Sequence, residues 1–520
     1  MNVASQLLTE CLQRGITNFV LCPGARNAPL VLALERTKGL ELYYHPDERT
    51  ASFFALGRTM AFNEPCAVIT TSGTAVAECL PAVIEAHYQA RPLVIISADR
   101  PEEFRGSGAP QAIEQTSIFG NYAEYGMDYD EEEQPVESWS GIPPLHINLP
   151  LPEDFDTEKI EPLSLEEIGE FKTIKENFDG SEVVSFLKER VFEGLIVMVG
   201  GLRPHEKEPV FNFLEQINVP VICDPHSGLR ELLPKNLLHK PDQYLKEDPP
   251  GKILRLGEVP HGRFWRDLEA LTDISVLSIT NSGYSGLARP SSVIKGDVGR
   301  VISGIGEQEE LGDVLDILEA ENGRRNTTDE LLEAYPTSEP ALIRAISIYA
   351  ALGESVYIGN SLPIREWSSF AQREHPTPEV WANRGANGID GQIATWLGAT
   401  REVENAWCII GDLTALYDLN ALQLSPQINL TGRRLIIINN GGGRIFSHLP
   451  RMKPLSETEE NHFAQSHETK FEHYAKMWNW HYLSVHTPEC LDQHAEIEGP
   501  TIIEVFPDAE ETKAFWRSTN

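Results

Sequence analysis

Gly411-Asp412-Leu413 and Asn439-Asn440-Gly441-Gly442-Gly443 are the residues of this chain best suited to hold a hard cation and an anion together. Asp412 and Asn440 lie 28 positions apart, about the length of one helix and one returning strand. The apolar run Leu435-Ile436-Ile437-Ile438 leads into the second cluster. Both clusters are therefore expected at neighbouring strand ends of a parallel sheet, on the carboxyl edge where open α/β sheets take their ligands. A carboxylate (Asp412), an amide oxygen (Asn440) and a backbone carbonyl from the glycine-rich turn (Gly442) form an oxygen set that suits Mg²⁺ and leaves positions for phosphate oxygens. A helix starting after Leu413 would aim its N-terminus at the same anion. The plainer reading is two unrelated turns, because Gly-Asp and Asn-Gly are ordinary turn dipeptides.

A second group of residues carries acid–base and carboxylate-binding potential. Glu48, in His45-Pro46-Asp47-Glu48-Arg49-Thr50-Ala51, follows an apparent strand and opens a helical pattern through Phe53, Phe54 and Leu56. An acid at such a corner is commonly a cap or a dipole partner. Arg26, Arg100, Arg365 and Arg384 each fall near a turn at a strand end. Guanidinium forks match carboxylates two bonds at a time and stay charged at any relevant pH. Taken singly, each arginine reads equally well as half of a surface ion pair.

The elements that must position these residues alternate short apolar strands with helical patterns, which predicts parallel sheets flanked by helices. A first segment has strands at Phe19-Val20-Leu21, Ala67-Val68-Ile69-Thr70 and Leu93-Val94-Ile95-Ile96. The stretch from about 129 to 180, acidic at its start and rich in proline, reads mostly as an excursion and linker. A second segment has strands at Leu195 to Val199, Val219 to Asp224, Ile253 to Leu256 and Ile274 to Leu277. Its Gly200-Gly201 turn hints at a dinucleotide fold, but no GxGxxG follows, so a structural Rossmann-like domain is expected. The polar stretch Glu321 to Thr328 reads as the next linker. A third segment has strands at Ser355 to Ile358, Cys408 to Ile410, Leu435 to Ile438 and Thr501 to Val505, and resembles the first in architecture. The predicted division is 1–180, 181–330 and 331–520.

Bulk properties agree with a large globular enzyme. A chain of 520 residues with 41% hydrophobic content exceeds a single core and has material for about three. A formal net charge of -35 argues against nucleic acid as a partner. It does not exclude an anionic substrate, which local arginines would bind. Seven scattered cysteines with no CxxC pair read as buried thiols in a reducing compartment. No apolar run approaches the roughly 18 residues of a membrane span, and Val3, Leu7, Leu8, Cys11 and Leu12 open an amphipathic pattern without a basic leader. A cytoplasmic protein without membrane insertion is expected.

The two glycine-containing clusters resemble the diphosphate-binding motif of thiamine-diphosphate enzymes, in which Gly-Asp is followed about one βα unit later by Asn-Asn. More specifically, a series of segments occurs in order: Cys22-Pro23-Gly24-Ala25-Arg26-Asn27-Ala28-Pro29-Leu30, His45 to Ala51, Thr71-Ser72-Gly73-Thr74-Ala75, Ala98-Asp99-Arg100-Pro101 and Gly108 to Ile113. These are followed by Asp224 to Arg230, Ser361-Leu362-Pro363-Ile364-Arg365, Asn383 to Gly391, Gly411 to Leu413 and Ile445-Phe446-Ser447. The series resembles the MenD family of menaquinone biosynthesis, densely over both outer segments and more weakly over the middle one.

The resemblance implies a pyrimidine-binding domain, a Rossmann-like middle domain and a diphosphate-binding domain, with thiamine diphosphate and Mg²⁺ (or Mn²⁺) as cofactors. It implies decarboxylation of 2-oxoglutarate and Stetter-like 1,4-addition of the succinyl-semialdehyde carbanion to isochorismate. Glu48 would bond N1′ of the aminopyrimidine and promote its imino tautomer. Gly411, Asp412, Leu413, Asn440, Gly442, Gly443 and Ile445 would contact the cofactor, with Asp412, Asn440 and Gly442 on the metal. Ile389 would brace the cofactor's bent shape, although plain core packing accounts for that residue equally well. Arg26, Arg100 and Gln111 from the first segment, and Ser361, Arg365 and Arg384 from the third, are assigned to substrates, with Ile445, Phe446 and Leu449 as apolar walls. Because Glu48 and Asp412 lie on different domains, the family pattern implies a homodimer or homotetramer with sites at the dimer interface.

Three positions depart from the family. Ala25 and Asn387 stand where serine is common, and Arg263-Phe264 replaces a Lys-Arg pair, so Arg263 would keep one charge while Phe264 loses the other. Two other readings stay open. One is a different thiamine-dependent 2-oxoacid decarboxylase or carboligase, which would share Glu48, Asp412 and Asn440 without the arginine loops. The other is a non-catalytic scaffold on the same fold.

Overall fold

The structure is a computed structural model; it describes residues 3–519 except 167, 174–179, 190–193, 234–235, 239–248, 313, 378, 449–451 and 453–454. Seventeen strands lie among the described residues. In the first region they are β1 (Asn18–Leu21), β2 (Glu41–Tyr44), β3 (Cys66–Thr70), β4 (Leu93–Asp99), β5 (Glu124–Asp128) and β6 (Leu145–Pro150). The middle region holds β7 (Leu195–Val199), β8 (Val221–Cys223), β9 (Lys252–Leu256), β10 (Ser275–Thr280) and β11 (Ser292–Lys295). The last region holds β12 (Ser355–Ile358), β13 (Val380–Trp381), β14 (Ala406–Gly411), β15 (Arg434–Ile438), β16 (His481–Val485) and β17 (Thr501–Val505).

They form three sheets, ordered β2-β1-β3-β4-β6-β5, β11-β10-β9-β7-β8 and β13-β12-β14-β15-β17-β16. All the strand pairs are parallel. The first and third sheets share one topology, strand for strand, as their similar sequence architecture predicts. Strands buried on both faces explain why the central ones read as continuous apolar runs: every residue of β3, β4, β15 and β17 is buried.

Packing divides the chain into two compact units. One comprises Met1–Glu176, Gly385–Glu402 and Asn420–Ile428; the other comprises Asn177–Arg384, Val403–Leu419 and Asn429–Asn520. In the first unit the helix Gln392–Ala399 lies against the helix Glu48–Phe62. The approach is close enough that a side chain at Gly57 or Gly398 would collide with the carbonyl of Thr395 or Phe54. The second unit carries the middle and last sheets, each over its own apolar cluster.

Two expectations need correction. The stretch read as excursion and linker contains β6, which pairs with β4 inside the first sheet. Its polar residues disguised it. His146 and Asn148 are buried but bonded, Ser97 Oγ lying 2.9 Å from both His146 Nε2 and Asn148 Oδ1. The polar stretch 321–328 is not irregular either, because it lies within the helix Leu315–Ala334. Charges spaced three and four residues apart support that helix, with Arg324 bonded to Glu321 and Arg325 beside Asp329 at 3.9 Å.

In the middle sheet the crevice between β7 and β9, where the strand order reverses, is closed by backbone. Glu258 N donates to Gly201 O at 3.1 Å, and a side chain at Gly200 would strike the carbonyl of Glu258. All seven cysteines are free thiols, six of them buried. No helix among the described residues is long and apolar enough to cross a membrane.

Candidate functional site

In each outer sheet the strand order reverses between the first and third strands, and ligands bind parallel sheets at such carboxyl-edge switch points. The candidate residues lie along these two carboxyl edges. In the second unit β14 runs into Gly411-Asp412 and its neighbour β15 into Asn439-Asn440, with Gly411 paired to Ile438. The helix begins at Asp412 itself rather than after Leu413, and spans only Asp412–Tyr417.

Asp412 is buried, its two oxygens accepting from Leu413 N at 2.6 Å and Gly442 N at 2.8 Å. Asn440 donates Nδ2 to both Glu339 carboxylate oxygens, at 2.9 and 3.1 Å. Among the described residues its Oδ1 is buried without a hydrogen-bond partner. Gly442 has φ 128, and a Cβ there would meet the Ala464 carbonyl, so the turn requires glycine. Its carbonyl accepts from Arg444 N at 2.8 Å, leaving one lone pair.

Three buried carboxyls crowd this corner: Asp412, Glu339 and Glu366. Burial raises Asp412 above its ordinary range, while the N–H of Gly442 and the nearby His467 oppose it. Burial and then the charge of Glu339 push Glu366 well above the carboxylate range, so it keeps its proton. An acid surplus, an amide oxygen without a donor and a glycine turn at one strand edge fit a divalent cation with an anionic ligand.

Around this corner, Leu413, Gly443, Ile445 and Phe446 are partly buried. The ring of Phe446 lies where a Cβ on Gly443 would touch it at 3.3 Å. Leu449 lies outside the described residues. Ser361, with φ 73, starts the helix Leu362–Phe370 after β12, and its carbonyl accepts from Arg365 Nη1 at 2.5 Å. Arg384 is buried and donates to Asn360 Oδ1 at 2.8 Å. Desolvation, then the like charges of Arg384 and Arg266, hold Arg365 below its ordinary value. The middle-region arginine felt there is thus Arg266. Arg263 faces solvent and pairs with Asp267 at 3.2 Å, while Phe264 is packed into the core beside Trp265.

In the first unit, Glu48 opens the helix after β2. Asp47 caps it by accepting from Thr50 N at 3.0 Å, and Asn420 bonds both Asp47 and Thr50. Glu48 is half-buried. Burial first, then the charges of Asp47 and Glu78, raise its pKa. Arg26 follows β1 and Arg100 follows β4, and both reach one carboxylate oxygen, Glu153 Oε1, at 3.0 and 3.1 Å. That oxygen marks where two guanidinium groups converge on an anion. Gln111, with φ 56, lies against Gly73 and faces solvent. Ala25 is exposed, as is Asn387, which adopts φ 64. Ile389 is partly buried within this chain.

Sequence reasoning missed several supports. Glu85 accepts from Gly385 N and Ala386 N, both at 2.7 Å, and so fixes the segment that follows Arg384. Gln115 ties Gly73 N to Asn148, and Asn148 in turn bonds Asp99. His467 Nε2 lies 3.4 Å from Asp412 Oδ2. No local motif marks these residues; buried polar types within apolar strands are the one available signal, as with Asn148.

Comparison with known proteins adds independent information. A family described as thiamine pyrophosphate enzyme, N-terminal TPP binding domain, matches residues 1–118. The 2-succinyl-5-enolpyruvyl-6-hydroxy-3-cyclohexene-1-carboxylate synthase of Akkermansia muciniphila is 44% identical over 514 residues, covering 98% of this chain and 96% of that protein. The synthase of the same name from Bdellovibrio bacteriovorus is 38% identical, covering 99% and 98%. Among solved structures, benzoylformate decarboxylase from Polynucleobacter necessarius matches with TM-score 0.73 over 98% of this chain and 99% of that one, at 12% identity. That last likeness concerns the fold alone.

Proposed function

The chain belongs to the 2-succinyl-5-enolpyruvyl-6-hydroxy-3-cyclohexene-1-carboxylate synthase family, and from that premise we infer how its residues divide the work. The protein is a thiamine-diphosphate-dependent enzyme of menaquinone biosynthesis that uses a divalent metal ion, 2-oxoglutarate and isochorismate. The cofactor, when bound, supplies the electron sink that lets a 2-oxoacid lose CO₂ and leaves the remaining carbon nucleophilic.

The chain's own residues do the rest. Asp412, Asn440 and Gly442 hold Mg²⁺ (or Mn²⁺), with the diphosphate against Gly411, Leu413, Gly443 and Ile445. Glu48 holds and returns a proton at N1′ of the aminopyrimidine, a task suited to a carboxyl whose pKa burial has raised. Ile389 would brace the cofactor from a partly buried position. Arg26, Arg100 and Gln111, with Ser361, Arg365 and Arg384, bind and orient substrate carboxylates, and Arg263 supplies charge at the rim. Ile445, Phe446 and Leu449 keep water from the reacting carbon.

The observation that carries this reading is the pair of carboxyl-edge constellations. One holds arginines that meet on a carboxylate; the other holds an acid and a donorless amide oxygen. The domain roles proposed are pyrimidine binding for 1–180, structural support for 181–330 and diphosphate binding for 331–520. A cytoplasmic homodimer or homotetramer is proposed, each site drawing Glu48 and Asp412 from different subunits.

The test is CO₂ release from 2-oxoglutarate with and without isochorismate, with identification of the product. Carboligation to isochorismate that requires both thiamine diphosphate and Mg²⁺ is expected. Decarboxylation that leaves isochorismate unconsumed would instead favour a simple 2-oxoacid decarboxylase.

A further inference from the structure

We propose that Glu339 is a positioning residue of the metal site: its carboxylate turns the Asn440 side chain so that the amide oxygen faces the cation. This rests on the reading of Asp412, Asn440 and Gly442 as the residues that hold the metal.

An asparagine amide has two ends of nearly equal size and opposite chemistry, so its surroundings decide which end points where. Here Nδ2 lies 2.9 and 3.1 Å from the two oxygens of Glu339. Both oxygens of Glu339 accept from the amino end, which commits that end to the carboxyl group. Oδ1 is thereby turned the other way, where it is buried and finds no donor among the described residues. A buried acceptor left unmade is costly, and a cation at that oxygen removes the cost.

Glu339 is itself fixed. It opens the helix Glu339–Ala350 behind Ser338, which caps the helix by accepting from Ala341 N. Its own backbone N donates to Thr512 Oγ1 at 3.0 Å. On its other side stands Glu366, buried and hydrogen-bonded side chain to side chain with Glu339. Asn440 is also gripped at its main chain, Arg444 Nε donating to its carbonyl at 3.1 Å. The arrangement matches the general role of outer partners that orient metal ligands, whose loss typically weakens metal binding by about 10- to 100-fold. Glu339 lies 101 positions from Asn440 in the chain, so no local motif announces it.

The test is a Mg²⁺ titration of the full-length protein with thiamine diphosphate and no substrate, followed by tryptophan fluorescence and by heat of binding. Glu339→Gln presents one acceptor and one donor, so Asn440 can sit either way round. Its Mg²⁺ affinity is expected to fall at least about 10-fold, with the metal-free protein melting as the parent does. Glu339→Asp keeps the charge but withdraws it by one methylene, and is expected to lose affinity as well. On an Asn440→Ala background, Glu339→Gln should add nothing. Asp412→Ala in the same titration should weaken binding more than about 100-fold, beyond the loss expected from an outer partner.

Parent-like affinity in both Glu339 variants would overturn the proposal. So would a parent-like Glu339→Asp beside a weakened Glu339→Gln, since that pattern means charge at a distance. A full effect of Glu339→Gln without Asn440 would do the same. If instead Asp412→Ala binds Mg²⁺ normally, the reading of the metal site fails rather than the role of Glu339. Should Glu339→Gln not fold, Glu339→Asp and its double variant with Asn440→Ala carry the same comparison.

Discussion

The carboxyl edges of the first and third sheets share a strand order but are built on opposite electrostatic plans. At the first, Arg26 and Arg100 converge on the half-exposed Glu153, so positive charge is gathered and balanced by an acid at the surface. At the third, Asp412, Glu339 and Glu366 are buried together, and an amide oxygen lacks a donor among the described residues. One edge suits small carboxylates that arrive and leave; the other suits a cation that stays. The same topology therefore gathers arginines at one set of strand ends and buries acids at the other.

The sharpest way to break this contrast is at the buried edge. Asp412→Ala removes the one ionised side chain proposed to touch the metal. Cofactor affinity measured by calorimetry should fall more than about 100-fold, beyond the loss expected from an outer partner. Unchanged affinity in chelator would remove Asp412 from the metal site.

At the other edge, Arg100→Ala takes away one of two converging forks. A drop of about 10- to 100-fold in kcat/KM is expected, mostly through KM, since truncating a charge-assisted contact costs on the order of 2 kcal/mol or more. A change confined to kcat would point to a role other than substrate binding.

Glu153→Gln sharpens the comparison further. Because Glu153 is half-exposed, its loss should change stability by less than about 1 kcal/mol. It should tighten carboxylate binding severalfold, by freeing both guanidinium groups. Weaker binding would mean that Glu153 aligns the arginines instead of holding a substrate's place.

The smallest effect concerns Glu48. Its pKa is raised in the fold by burial and then by Asp47 and Glu78, so the folded state holds the proton more tightly than the unfolded chain. Such a group contributes stability below its unfolded pKa and loses that contribution as pH rises through the folded value. Glu48→Gln should therefore be slightly more stable than the parent at neutral pH, by less than about 1 kcal/mol given solvent screening. The difference in melting temperature should close as pH falls below the ordinary carboxylate range.

The sequence made the strand-end motifs legible because glycine, proline and acids punctuate a chain locally, as at Gly411-Asp412 and His45-Pro46-Asp47. Central strands such as β3 and β15 were equally plain, being apolar throughout. β6 was not, since His146 and Asn148 are tolerated in the core only through a network with Ser97, Gln115 and Asp99 drawn from elsewhere. The supports of the site were hidden for the same reason. Glu153 lies 127 positions from Arg26, and Glu339 lies 101 from Asn440, distances over which no periodicity or turn rule operates. Arg263 shows the reverse case, a partner close in the chain, its charge met by Asp267 one helical turn away.

The central claim is that the two edges do separable jobs, Glu48 activating the cofactor and Asp412 holding it. The most direct measurement pairs hydrogen–deuterium exchange at the cofactor's C2 with cofactor affinity, in Glu48→Gln and Asp412→Ala. Glu48→Gln should lose nearly all exchange while binding thiamine diphosphate almost as the parent does; Asp412→Ala should lose affinity and recover exchange at saturating cofactor and metal. Near-normal exchange in Glu48→Gln, or loss of both properties together in each variant, would contradict the account.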